Sequence, residues 1–134
     1  MNVFKIFTLL FVLGLHTSAS AKLLQIIHTN DLHSYFNGTR AGLGGYARLK
    51  TLITKLKAEA TSKNIKTLIL DAGDFGEGSS FYFSNKGVDS MRALDKLGID
   101  VTILGNHDFI LGGRELLKKI LEADLQANIL SANL

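Results

Sequence analysis

Asp31-Leu32-His33, Gly73-Asp74-Phe75 and Gly105-Asn106-His107-Asp108 each follow closely on a short run of apolar residues. Carboxylate, amide and imidazole groups are the oxygen and nitrogen donors that divalent cations take from proteins. Asp31 and His33 stand two residues apart, and in extended backbone such residues share one side. A carboxylate and an imidazole there can chelate one ion. Asp74 has two carboxylate oxygens and can bridge a pair of ions, with Gly73 permitting a sharp turn beside it. Asn106 offers a neutral carbonyl oxygen. His107 offers an imidazole suited to steadying a phosphoryl oxygen or protonating a leaving group near neutral pH. Any one motif is explained equally well by a cap, a turn or a solvated loop, and Asp71, which directly ends an apolar run, reads as structural. Three of them after three such runs point to metal-dependent hydrolysis.

The apolar runs predict the elements that carry these residues. Leu23 to His28, Thr67 to Leu70, Val101 to Leu104 and Asn128 to Ser131 read as strands. Between them, Leu49, Leu52, Ile53, Leu56 and Ala60 fall at helical spacing, with Asn64 as a stop. Val88, Met91, Leu94 and Leu97 mark a second helix ended by Gly98, and Leu116, Leu117, Ile120 and Leu121 a third. Asp71 to Asn85 and Gly105 to Gly113 read as loops. The resulting βαβαβαβ order predicts an α/β fold with parallel strands and right-handed crossovers. All three motifs then sit at the carboxyl ends of strands, where open α/β sheets bind ligands. Continuously apolar strands predict a sheet buried on both faces. Nothing follows the fourth strand to cover it, so the expected fold is an incomplete one.

Composition sets the outer limits. The chain has 134 residues, 46% of them hydrophobic and 20% charged, and a formal charge of +3, which suits one globular domain. Lys118-Lys119 is the only adjacent basic pair, so no basic arm argues for nucleic acid. The absence of cysteine excludes disulfides and thiolate metal sites. Lys5, the apolar stretch Ile6 to Leu15 and the small-residue pattern Ala19-Ser20-Ala21 read as a cleaved signal peptide over residues 1–21, with residues 22–134 as the domain. The stretch is shorter than the roughly 20 residues of a spanning helix. A secreted or periplasmic product without a membrane anchor after cleavage is expected. Gly42-Leu43-Gly44-Gly45 has neither phosphate-loop nor dinucleotide spacing and suits a helix start. Phe81-Tyr82-Phe83 reads as packing or a lid.

Taken in order, Thr29-Asn30-Asp31-Leu32-His33-Ser34, Gly44-Gly45-Tyr46-Ala47-Arg48, Gly73-Asp74, Gly105-Asn106-His107-Asp108-Phe109 and Ser131-Ala132-Asn133-Leu134 resemble the N-terminal part of the secreted 5′-nucleotidase family of calcineurin-like metallophosphoesterases. The resemblance runs over essentially all of residues 22–134. It implies the βαβαβαβ half of an α/β sandwich and two divalent metal ions (Zn, Mn, Mg or Co) that hydrolyse a small-molecule phosphate ester, typically a nucleotide. Carried over, Asp31 and His33 would bind the first ion, Asp74 both, and Asn106 the second. Asn106 and His107 would meet the substrate, with His107 as the catalytic histidine beside the phosphate.

Two departures shape the expectation. The family commonly has an aspartate three residues after the catalytic histidine, where this chain has Ile110. The family's later histidine ligands and its C-terminal nucleotide-binding domain fall outside these residues, and His28, at a strand end, reads as structural. The second ion then keeps only Asp74 and Asn106, whereas catalytic zinc sites usually hold three protein ligands. The 134 residues alone are expected to be inactive or weakly active. The alternative within the same superfamily is a 2′,3′-cyclic phosphodiesterase, a nucleotide-sugar hydrolase or a thiosulfohydrolase. A non-catalytic secreted binding module is the reading from outside the enzymes.

Overall fold

A computed structural model describes residues 22–132. The proposed signal peptide and the last two residues of the Ser131–Leu134 motif lie outside them. The elements run β1 (Leu24–Thr29), α1 (Tyr46–Ser62), β2 (Lys66–Asp71), a single-turn α2 (Tyr82–Asn85), α3 (Val88–Leu97), β3 (Val101–Ile103), a 3-10 turn (Asn106–Phe109), α4 (Gly113–Ala123) and β4 (Asn128–Leu130). The four strands form one parallel sheet in the order β1-β2-β3-β4. The expected βαβαβαβ order therefore stands, with two additions: α2 interrupts the stretch expected as loop from Asp71 to Asn85, and the 3-10 turn the one from Gly105 to Gly113.

The helices follow their apolar spacing. In α1, Tyr46, Ile53 and Ala60 are buried at seven-residue intervals, two turns apart on one stripe, whereas Leu52, expected on that stripe, is exposed beside it. In α3, Val88, Met91, Leu94 and Leu97 are buried. Gly98 ends that helix with φ 88°, and its N–H is shared between the carbonyls of Leu94 and Asp95, a C-terminal geometry that glycine adopts without a Cβ penalty. The third helix departs from expectation. Leu116 is buried, but Leu117 and Leu121 are exposed, and Lys119 and Ala123 are buried in their place. Helix α4 packs on α3 and the 3-10 turn, so its inward stripe is turned toward them. The Lys119 ammonium sits 5.8 Å from the Tyr82 ring centre, and burial lowers its pKa.

The sheet is not covered on both faces among the described residues. Strands taken in strict spatial order by right-handed crossovers put every connecting helix on the same side. Ile27 and Ile69 pair on that side and pack with Ile53, Phe75, Met91 and Leu94 in the core. The opposite face carries Leu24, Ile26, Ile103 and Leu130, which are 55%, 57%, 43% and 54% exposed. The continuous apolarity of the strands thus reflects one face packed and one face open. His28 lies on the open face, paired with Leu70, away from the helices. No helix among the described residues is long and apolar enough to cross a membrane.

Candidate metal centre

The three motifs meet beyond the carboxyl ends of β1, β2 and β3, because their loops are bonded to one another. The backbone N–H groups of Asp31, His33 and Ser34 donate to the carbonyls of Gly73, Asp74 and Phe75 at 3.0, 3.0 and 3.1 Å. Asp31, His33, Ser34 and Asp74 all have positive φ, between 46° and 56°. Four non-glycine residues in the left-handed region at one spot carry a local conformational cost of the kind that concentrates at functional sites. The extended backbone expected across Asp31–His33 is therefore absent. Their side chains converge through a left-handed turn instead, with His33 Nε2 3.7 Å from Asp31 Oδ1.

Below the ligands lies a polar layer. Asp71 accepts from Thr29 Oγ1 at 2.6 Å, Thr102 Oγ1 at 3.2 Å and the Gly73 N–H at 3.0 Å. It ties three strands together from a buried position, as expected of a structural residue. Burial raises its pKa above the usual carboxylate range, against the lowering effect of these bonds. Asp108 does the same for the loops. Its Oδ2 accepts from the N–H groups of Asp74 and Gly105, both at 2.9 Å, and its Oδ1 from that of Gly76 at 3.1 Å. Burial raises its pKa also. Its motif alone suggested no role for Asp108. It is the residue that fixes the second loop against the third.

Among the described residues, the donor atoms of Asp31, His33 and Asp74 lie within 4.8 Å of one another, a group able to hold one cation. Asp74 is aimed by the third loop, since its Oδ1 accepts the His107 N–H at 2.8 Å. The His33 Nδ1–H donates to the Glu77 carbonyl oxygen, which leaves Nε2 with a free lone pair for a metal. Asn106 opens the 3-10 turn and is exposed. His107 stands beside His33, their rings 4.9 Å apart and edge to face. His33, Glu77 and His107 form a second group of donor atoms within 4.8 Å. Glu77 is the functional candidate that the sequence did not disclose. It sits inside a Gly-Glu-Gly stretch with no ligand spacing of its own.

The fold gathers acidic and imidazole donors able to hold a cation at one sheet edge. A sequence model of the calcineurin-like phosphoesterase family matches residues 24–132, and the chain belongs to that family. It is 36% identical to a 5′-nucleotidase of Mus musculus over 127 residues, covering 87% of this chain and 21% of that protein. It is 34% identical to the Homo sapiens 5′-nucleotidase over 139 residues, covering 95% of this chain and 23% of the relative. Among solved structures, the NAD nucleotidase of Haemophilus influenzae superposes with a TM-score of 0.70 at 29% identity, over 82% of this chain and 23% of that one. A 5′-nucleotidase precursor from Thermus thermophilus gives 0.66 at 29% identity, over 82% and 22%. The chain thus spans about a fifth of the length of these relatives and corresponds to the N-terminal part of the 5′-nucleotidases.

Proposed function

We propose that these residues form the N-terminal half of a two-metal phosphoesterase centre acting on nucleotides, in a secreted or periplasmic protein. The convergence of Asp31, His33 and Asp74 donor atoms within 4.8 Å carries this reading. Such a set fits one divalent ion (Zn, Mn, Mg or Co), and the second carboxylate oxygen of Asp74 with Asn106 would begin a second site. Paired cations about 3.5–4 Å apart supply a nucleophile from water at neutral pH and neutralise charge on the attacking and leaving oxygens. The chain's own residues do the rest. Asp74 is held by the His107 N–H, so the third loop sets its orientation. On this reading Asn106 and His107 would meet the substrate phosphate, with His107 stabilising or protonating it.

The ligand count limits the activity of the 134 residues taken alone. With Asp74 and Asn106 only, the second ion falls short of the usual three protein ligands. Weak hydrolysis or none is expected from the purified chain, together with measurable uptake of a single ion. The check is calorimetric titration with Zn or Mn alongside AMP and p-nitrophenyl phosphate hydrolysis. Asp74→Asn should abolish both metal uptake and any turnover. Rapid AMP hydrolysis by the chain alone would overturn the claim of weakness. Uptake of one ion without any turnover is what the alternative, a non-catalytic metal-binding module, predicts, and the two-ligand second site favours it in this form of the chain.

A further inference from the structure

We infer that Glu77 is the positioning residue of His107: its carboxylate fixes the imidazole's tautomer and ring orientation and leaves Nε2 for the substrate. Glu77 Oε2 lies 2.7 Å from His107 Nδ1. An ionised carboxylate can only accept, so in the neutral ring Nδ1 carries the proton and Nε2 the lone pair; action on a phosphoryl or leaving-group oxygen, itself an acceptor, takes the ring with both nitrogens protonated. No other acidic group on the third loop serves this purpose. Both oxygens of Asp108 are taken up by the N–H groups of Asp74, Gly105 and Gly76. Ile110 is exposed and apolar. The partner comes instead from the second loop. Glu77 is well placed to hold one orientation, because its own carbonyl oxygen accepts the His33 Nδ1–H. One residue thereby fixes both imidazoles, the first through its backbone and the second through its side chain. The two histidine rings stay edge to face at 4.9 Å.

The consequence for hydrolysis rests on the phosphoesterase reading, whereas the tautomer does not. The first measurement is a long-range 1H–15N correlation spectrum of the full chain without metal, at a pH where imidazoles are neutral. His107 is expected as the Nδ1–H form. Glu77→Gln, whose amide oxygen still accepts, should keep that form, and Glu77→Ala should shift His107 toward Nε2–H. An unchanged tautomer in Glu77→Ala overturns the inference. So does loss of the His107 Nδ1–H signal on saturation with Zn, which would make the group a metal ligand set. The second measurement is turnover. Where the chain hydrolyses p-nitrophenyl phosphate, Glu77→Ala should lower kcat about 10–100-fold, the usual cost of losing an orienting partner. KM should stay within about twofold and Glu77→Gln should recover part of the loss, the pattern of an interaction that acts in the transition state. A rise in KM with kcat unchanged counts against it. Without turnover in the unaltered chain, an outcome that the two-ligand second site already allows, the tautomer alone decides the role of Glu77, and the failure of Zn or Mn to bind is what would count against the phosphoesterase reading.

Discussion

Two buried aspartates, Asp71 and Asp108, show how the same side chain can be replaceable at one position and fixed at another. Asp71 meets two donors at Oδ1, the Gly73 N–H and the Thr102 hydroxyl, but only the Thr29 hydroxyl at Oδ2. Thr29 can turn its proton toward the Leu70 carbonyl, 3.5 Å away, and accept from an amide. Asp71→Asn therefore keeps every partner. Asp108 faces backbone N–H groups with both oxygens, so Asp108→Asn sets an N–H against an N–H. It is expected to cost about 2–4 kcal/mol, the scale of charge-assisted bonds lost with buried donors left unsatisfied. Burial raises the folded-state pKa of Asp71 above the ordinary 3.8. A carboxyl so raised favours folding fully below the unfolded-state value and loses that contribution as pH climbs through the folded one. The neutral amide of the Asp71→Asn variant has no such loss. Urea midpoints should show Asp71→Asn gaining on the parent as pH rises from the ordinary 3.8 through the raised folded-state value. A parent that gains on the variant over that range would refute the assignment.

At the scale of elements, the site depends on how closely two loops approach. A Cβ on Gly105 would lie 2.1 Å from Asp74 Oδ1, and one on Gly73 would lie 2.5 Å from the Gly105 nitrogen. The backbone of Gly105 is ordinary, at φ −86°, so glycine is needed there for space and not for conformation. Gly105→Ala should push Asp74 off the His107 N–H and destabilise the chain by about 1–3 kcal/mol, as overpacking does. It should also weaken metal uptake in the same titration, and unchanged uptake would contradict the packing argument. Element type and order were legible in the sequence because Met91, Leu94 and Leu97, or Ile53 and Ala60, repeat at helical intervals that only one period fits. The ligand motifs were legible because their residue types are restricted by chemistry. Glu77 was not, because its partner lies 30 residues further along the chain and only the docking of two loops joins them. The outward turn of Leu117 and Leu121 was hidden for a related reason. Periodicity locates an apolar stripe, whereas the neighbouring elements decide which part of it is buried.

At the scale of the whole molecule, the described residues form a sheet with one packed and one open face. Strand apolarity alone cannot distinguish that arrangement from a sheet covered twice. The register does, since Ile26 pairs with Leu68 and Ile103 with Leu130 on the side away from the helices. Contiguous apolar surface of this kind favours association with other apolar surface. The 134-residue chain is therefore expected to bind a hydrophobic fluorescent dye while fully folded and to self-associate as concentration rises. The paired substitution Ile26→Lys with Ile103→Lys places charges on two strands of that face. Both residues are already about half in water, so the cost in stability should stay within roughly 0.5 kcal/mol per site. Ile69→Ala, one residue beyond the Leu68 position and on the packed face, should cost about 2–5 kcal/mol. Dye binding and sedimentation, read beside urea unfolding, separate the two faces. If the lysine pair leaves dye binding and association untouched, the apolar surface in solution is not the one the strand register assigns.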